Sequence, residues 1–136
     1  MRNMVLVLLM LAVLAGCSTP PRLDRENPDV FRQYVQQQGL QPVKRVQAFR
    51  LSGWQVLDDR WLVVGSAPSR DWLLYLDTPC TELRWTEYLV IRQSLPRVLQ
   101  ARFDSVQVPA SRDVPCRIRE IYPLTPEQAE ALRALR

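Results

Sequence analysis

Any chemistry in this chain has to be carried without histidine. The 136 residues include 18 Lys or Arg and 14 Asp or Glu, but no His. The commonest general base, the commonest metal ligand and the usual partner of a nucleophilic serine or cysteine are therefore missing. A carboxylate-based glycan hydrolase would need two carboxyl groups roughly 5–10 Å apart. The spacing of the available candidates does not require such a pair; they are Glu82, Glu87, Asp104 and Glu120. We expect a protein that is not an enzyme and that uses no cofactor or metal.

Four tryptophans are the next candidates, because a set of indole rings could form a platform for sugars or peptides: Trp54, Trp61, Trp72 and Trp85. Tryptophan more often serves the core, since each side chain buries roughly 150–250 Å². Trp61 and Trp72 lie inside apolar runs, whereas Trp54 and Trp85 lie at the margins of predicted strands. Trp54 and Trp85 are therefore the better candidates for ligand contact.

Asp104, Arg117 and Arg119 form a third candidate group. Side chains alternate along a strand, so the two arginines should share one face, opposite Ile118. If the strand of Asp104 lies nearby, its carboxylate can pair with a guanidinium and set the strand register. In the rival interpretation the arginines bind a carboxylate or phosphate of a ligand, and Asp104 only orients them.

The start of the chain has the pattern of a secretory leader. Arg2 precedes an uncharged apolar run at residues 4–15, which is shorter than the roughly 20 residues of a membrane-spanning helix. The run ends in Leu14-Ala15-Gly16-Cys17, which resembles the lipobox of bacterial lipoproteins. The resemblance implies cleavage before Cys17, diacylglycerol on its thiol and an acyl chain such as palmitate on the new amine. Ser18 in place of aspartate implies transport to the outer membrane.

Two further cysteines, Cys80 and Cys116, are expected to form a disulfide. With Cys17 carrying lipid they are the remaining pair, and a leader of this kind directs a chain to an oxidising compartment. Two buried free thiols are the alternative. A metal site is a poorer one, because two distant cysteines without histidine supply half a zinc site at most.

Length and composition allow one globular domain after the leader. We expect a signal peptide at 1–16, a polar, proline-bearing tether at 17–28 and a single domain at 29–136. The net charge of +4 falls to +3 when Arg2 leaves with the leader. Lys44 is the only lysine, and the arginines are scattered, whereas nucleic-acid-binding proteins cluster basic residues on one element. We predict attachment to a membrane through the lipid and no nucleic acid as partner.

Helices are predicted at both ends of this domain. Asn27 and Pro28 are typical of an N-cap and a first helical residue, and Gly39 of a helix end. Thr125, Pro126 and Gln128 form a capping-box pattern that predicts a C-terminal helix.

Short β-branched and aromatic runs between these helices predict strands. They lie near residues 46–51, 55–57, 60–65, 71–77, 87–93, 98–108 in two pieces, and 117–122. Turn residues at 58–59 and 67–70 should make the second, third and fourth strands antiparallel neighbours. We expect an α+β fold: a small antiparallel sheet or part-closed barrel, flanked by N- and C-terminal helices and held by one disulfide.

Four segments of the second half resemble a family of uncharacterised small lipoproteins of Gram-negative bacteria, known only as a domain of unknown function. They are Pro79-Cys80-Thr81-Glu82-Leu83, Leu89-Val90-Ile91, Arg102-Phe103-Asp104-Ser105-Val106 and residues 115–124. The resemblance implies the lipobox and the paired cysteines. It implies no activity, ligand or catalytic residue.

We therefore expect a membrane-tethered lipoprotein that faces the periplasm and acts as an interaction or accessory module of the cell envelope, with an envelope protein as partner. A small-ligand or glycan-binding domain is the alternative, and a carboxylate-based glycan hydrolase comes third. An exposed apolar patch outside any cavity would favour the module. An aromatic-lined pocket would favour the ligand-binding domain, and converging carboxylates in a groove would favour the hydrolase.

Overall fold

The structure, a computed structural model, describes residue 23 and residues 29–109 and 115–136. The predicted signal peptide with Cys17, and the predicted tether apart from Leu23, lie outside the described residues. Leu23 is half-buried and packs against the apolar cluster formed by the helices. One residue of the predicted tether is thus in contact with the domain.

Two helices flank an antiparallel sheet, which confirms the expected fold class. In chain order the elements are α1 Val30–Gln37, β1 Arg45–Val46, β2 Leu51–Val56, β3 Trp61–Ser66, β4 Arg70–Leu76, a 3-10 helix Thr81–Trp85, β5 Val90–Arg92, β6 Leu99–Gln100, β7 Ser105–Gln107, β8 Cys116–Leu124 and α2 Pro126–Ala134. Six strands form one sheet in the order β2-β3-β4-β8-β7-β5, and β1 pairs with β6.

The two predicted hairpins are present. β2, β3 and β4 are consecutive antiparallel neighbours, as expected from the turn residues. Asp58 holds the first turn, because its Oδ1 accepts hydrogen bonds from the backbone amides of Arg60 (2.7 Å) and Trp61 (2.8 Å). The second turn contains a cis Ala67–Pro68 peptide bond.

β8 is the longest strand and joins the parts of the sheet. It pairs with β4 on one side, and its first residues pair with β7 on the other. Tyr75 is opposite Glu120 and Leu76 is opposite Ile118, so Arg119 is an extra residue in β8. This bulge changes the alternation of side chains along the strand. Arg119 is exposed, while Glu120 turns toward the face that carries the helices.

Both faces of the central strands are covered, as the continuous apolar runs predicted. On one face α1 and α2 pack against Trp61, Val63 and Leu73. The other face is the core inside the curved sheet, which we call the inner core; its side chains include Phe49, Leu62, Leu74, Leu99 and Ile118. Each fully buried leucine contributes roughly 1.5–3 kcal/mol to folding.

The helix ends follow the predicted signals with one exception. Thr125 and Gln128 form the expected capping box, with reciprocal hydrogen bonds between side chain and backbone. Gly39 follows the end of α1 at a φ of 60°, a conformation that glycine adopts without strain. The prediction of Asn27 as N-cap is wrong, because the helix begins at Val30 with Asp29 as its N-cap.

Two predicted strands are shorter than expected. The predicted strand at 46–51 keeps only its first residue in β1, since Ala48 has a φ of 54° and turns the chain before β2. The predicted strand at 87–93 is reduced to β5. Thr86 accounts for its late start, because its hydroxyl bonds both the amide and the carbonyl of Tyr88 and closes a local turn.

Candidate functional site

The cleft beside α1 is the first place to look for a site, since ligand pockets are usually the large concave regions of a protein. Its volume is about 540 Å³, and it lies between the start of α1, the β2–β3 turn and the end of α2. Its lining includes three carboxylates, four arginines and the rings of Trp61 and Tyr75.

Arg32 occupies the aromatic side of this cleft. Its guanidinium carbon lies 4.8 Å from the ring centroid of Trp61 and 4.4 Å from that of Tyr75, so it covers both rings. Its Nη1 donates to Glu120 Oε2 (2.8 Å) and to the hydroxyl oxygen of Tyr122 (3.1 Å). The aromatic faces are thus occupied by a side chain of the protein itself.

Tyr122 completes the network. Its hydroxyl donates to Glu120 Oε2 at 2.8 Å. Burial raises the pKa of Tyr122 to about 12, and the hydrogen bond to Glu120 adds to the rise. Tyr122 therefore stays protonated and keeps donating at neutral pH.

The carboxylates of the cleft also have partners within the protein. Asp58 accepts the two backbone hydrogen bonds of the β2–β3 turn, and Asp59 forms an ion pair with Arg84. Burial raises the pKa of the Asp58 carboxyl, although the amides of Arg60 and Trp61 act in the opposite direction. Asp58 holds its own turn and Asp59 joins that turn to the 3-10 helix, so we assign a structural role to both carboxylates.

Cys80 and Cys116 form the predicted disulfide. Cys80 precedes the 3-10 helix and Cys116 begins β8, so the bond fixes the chain leaving β4 to the start of the longest strand. Both cysteines are buried in the inner core. Cys17, the predicted lipidation site, lies outside the described residues.

The tryptophans divide in the way their positions suggested. Trp61 and Trp72 are buried in the core. Trp54 is half-buried and packs against the inner core, which leaves part of its ring available. Trp85 is 87% exposed at the end of the 3-10 helix, so it is the tryptophan most open to a partner.

Asp104 does not pair with the arginines, so the predicted contact between its carboxylate and Arg117 or Arg119 is wrong. It is 1% exposed, and its Oδ1 accepts from the amide and the hydroxyl of Ser94, each at 2.7 Å. Its Oδ2 accepts from the amide of Gln100 at 2.6 Å. Asp104 therefore fixes the turn between β6 and β7 instead of contacting a ligand.

Arg117 and Arg119 share the exposed side of β8, opposite the buried Ile118, as the alternation predicted. Arg119 donates to Asp77 Oδ1 at 3.2 Å. Arg117 forms no ion pair within the described residues. Of the three residues grouped from the sequence, Arg117 and Arg119 lie on one surface and Asp104 does not.

The segment leading into β5 carries an apolar surface that the sequence did not single out. Along with Trp85, Tyr88 is 72% exposed and Val90 is also exposed, whereas Leu89 between them is buried. None of the three exposed residues lines the cleft beside α1. We call Trp85, Tyr88 and Val90 the aromatic edge. The sequence did contain a signal for this surface. If Leu89 points into the core, the alternation of side chains along an extended chain places its neighbours Tyr88 and Val90 on the opposite, exposed side.

β5 is also the last strand of the six-stranded sheet. It pairs with β7 on one side and has no neighbour on the other among the described residues. Backbone amides and carbonyls of an edge strand are free to pair with another chain. The aromatic edge thus combines exposed rings with an open strand, and it is the candidate binding surface of the molecule.

The carboxylates considered for hydrolysis do not share the cleft beside α1. Asp104 and Glu120 are engaged in the hydrogen bonds described above, the first in a turn and the second with Arg32. Within residues 29–109 and 115–136, no three carboxylate or cysteine side chains converge as a metal site. Among these residues, no helix is long and apolar enough to cross a membrane.

Comparison with known proteins identifies a family without assigning an activity. The model of DUF6491, a family of unknown function, matches residues 1–136. No curated protein and no solved structure matches the chain. Since the match spans the whole chain, the protein belongs to the DUF6491 family.

Proposed function

We propose that this chain is a membrane-tethered lipoprotein of the Gram-negative cell envelope that acts as an interaction module for an envelope protein. The leader is removed before Cys17, and the lipid on Cys17 holds the domain on the outer membrane, facing the periplasm. The domain then presents the aromatic edge to its partner.

The observation that carries the proposal is the aromatic edge itself. Exposed apolar side chains outside a cavity are typical of protein interaction sites, and tyrosine and tryptophan are enriched at the residues that dominate binding. Exposed apolar side chains beside an open edge strand suit an extended segment of a protein, which can add to the strand through its backbone. We therefore assign the partner's contact to a strand that adds to β5 and places its side chains against Trp85 and Tyr88.

Two features support the cellular address. The leader and Leu14-Ala15-Gly16-Cys17 have the lipobox pattern. The Cys80–Cys116 disulfide suits an oxidising compartment such as the periplasm, because cytosolic thiols are kept reduced.

The address is tested by replacing Cys17. Cys17→Ser should abolish incorporation of labelled palmitate and leave the leader uncleaved before residue 17, whereas Cys80→Ser should leave labelling intact. A Cys17→Ser protein that still incorporates fatty acid would contradict the lipid assignment.

The partner is tested by photo-crosslinking in living cells. A photoreactive phenylalanine analogue at position 88 should give one discrete protein adduct, and the adduct should weaken when Trp85→Ser is added. The matched control carries the analogue at position 70, which is exposed at the start of β4, three strands away from β5 in the sheet. Adducts with lipid alone would show that the aromatic edge contacts the membrane, and the protein-module proposal would then be wrong.

A further inference from the structure

A second surface of the molecule brings basic side chains together around an apolar groove. The groove has a volume of about 440 Å³ and lies between β1, β6 and β8. Pro42, Val43, Ala101 and Phe103 form its apolar lining. Its basic lining continues into a neighbouring cavity of about 330 Å³, which shares Arg102 and Arg119 with it. We call this surface the basic groove; its charged members are Lys44, Arg45, Arg102, Arg117 and Arg119, with Asp77 and Glu120.

The basic groove carries a large net positive charge for a chain of this size. Five basic and two acidic side chains leave a surplus of three positive charges, compared with +4 for all 136 residues. The two acidic groups are already engaged, Glu120 with Arg32 and Asp77 with Arg119. In the described part of the chain no ion pair involves the other four basic residues; these are Lys44, Arg45, Arg102 and Arg117.

The backbone holds these cations in place. The amide of Arg102 donates to the carbonyl of Ile118 at 2.6 Å, which sets Arg102 beside the strand that carries Arg117 and Arg119. The amide of Ala101 donates to the carbonyl of Lys44 at 3.0 Å and fixes the opposite wall. Arg102 has a φ of 71°, and the buried Asp104 holds the same turn. The backbone positions from which these basic side chains extend are therefore fixed relative to one another.

An aromatic side chain stands next to the cations. Phe103 is 75% exposed and lines the groove directly after Arg102. Guanidinium groups bind phosphate oxygens through paired N–H donors, and the neighbouring apolar wall suits a hydrocarbon portion of the same ligand. The arrangement matches an amphiphile with an anionic head.

We infer that the basic groove binds the phosphate headgroup of an anionic phospholipid, with Arg102 and Arg117 at the phosphate and Phe103 against the glycerol and upper acyl chain. Each basic residue near an anionic lipid surface is worth about fivefold in affinity. Loss of two arginines should therefore weaken binding about thirtyfold. The inference uses residues separate from the aromatic edge, so either proposal can fail while the other holds.

The test uses the full chain in micelles of a neutral detergent, with phosphatidylglycerol, phosphatidylcholine or inorganic phosphate as the probe. The readout is the rise in melting temperature as the probe is added. The variant R102Q/R117Q is compared with R50Q/R70Q, which removes two exposed arginines without ion pairs from other parts of the chain. The melting temperature without any probe reports whether each variant folds, and R117Q alone provides a milder change at an exposed position.

Phosphatidylglycerol should raise the melting temperature of the wild type and of R50Q/R70Q at similar concentrations. R102Q/R117Q should need about thirtyfold more lipid, and R117Q about fivefold more. F103S should lose the preference for lipid over inorganic phosphate. Equal responses to phosphatidylglycerol and phosphatidylcholine, or an unchanged response in R102Q/R117Q, would overturn the inference. If inorganic phosphate is as effective as lipid and F103S changes nothing, the groove binds a soluble phosphate and the lipid assignment is wrong.

Discussion

Replacing Asp104 by asparagine should destabilise the fold although the shape of the side chain hardly changes. The carboxylate accepts three hydrogen bonds from Ser94 and Gln100 and is 1% exposed. The single side-chain oxygen of an asparagine can accept from Ser94 or from Gln100, but not from both. Its amide NH₂ group, itself a donor, then faces the N–H donor of the other residue. The change therefore removes a charge-assisted hydrogen bond and leaves a buried donor without an acceptor.

The size of the effect follows from these contacts. A hydrogen bond to a charged group contributes about 1.5–3 kcal/mol, and an unsatisfied buried donor costs about 1–3 kcal/mol. We expect a loss of about 3 kcal/mol, which for a domain of this size is a fall of about 12 °C in melting temperature. Asp77→Asn makes the same chemical change at an exposed ion pair with Arg119 and should cost less than about 1 kcal/mol.

Urea and thermal unfolding of the single and double variants provide the assay. Arg119→Ala should cost about 0–1 kcal/mol, because its pair with Asp77 is exposed. The double variant Asp104→Asn/Arg119→Ala should lose the sum of the two single losses to within about 0.5 kcal/mol, since the two side chains share no partner. A coupling energy above about 1 kcal/mol, or an Asp104→Asn loss no larger than that of Asp77→Asn, would refute the structural role assigned to Asp104.

Three other perturbations test the fold. Replacing Cys80 and Cys116 by serine should cost about 4 kcal/mol in the chain-entropy model for a separation of 36 residues, which urea unfolding measures against the oxidised protein. Tyr122 has a pKa of about 12 against the usual value of about 10, so its contribution to stability is complete below pH 10 and is lost as the pH rises toward 12. Tyr122→Phe should remove the step near pH 12 from the tyrosinate absorbance titration, and a titration that keeps this step would contradict the assigned burial. Thr125→Ala should lower the melting temperature by the equivalent of about 1 kcal/mol, and an unchanged value would mean that the capping box does not stabilise α2.

Features determined by a few neighbouring residues could be predicted from the sequence. The capping box at Thr125, the left-handed Gly39 and the β2–β3 turn at Asp58 each depend on contacts within about three residues. The burial of β3 and β4 followed from continuous apolar runs. These signals are local, so they can be interpreted without knowing the strand order.

Contacts between distant residues were not predictable in the same way. Arg32 meets Glu120 only because a bulge at Arg119 turns the strand and α1 packs on that face. Asp104 can be recognised in the sequence as a charged residue that needs partners. Two of its donors are backbone amides, and no residue type in the sequence identifies them as its partners.

The candidate surfaces were predictable from the sequence only in part. Trp85 was singled out from its position and is exposed, but Tyr88 was missed because it lay inside the predicted strand at 87–93, where apolar residues resemble core residues. The basic residues appeared scattered in the sequence, yet Lys44, Arg102 and Arg117 line neighbouring cavities. Their clustering depends on β8 lying beside the turn that follows β6, which no local pattern encodes.

The contact made by Leu23 has a consequence for the distance between the domain and the proposed lipid anchor. With the lipid that we propose on Cys17, only six residue steps separate the anchor from the point where the chain packs against the helices. Six steps of fully extended chain span at most about 21 Å, roughly half the reach of an unattached tether that ends at residue 28. If Cys17 carries the proposed lipid, the helix face that contacts Leu23 stays within that distance of the membrane surface. Under the proposed lipidation, we therefore expect the partner of this domain to meet it close to the membrane surface.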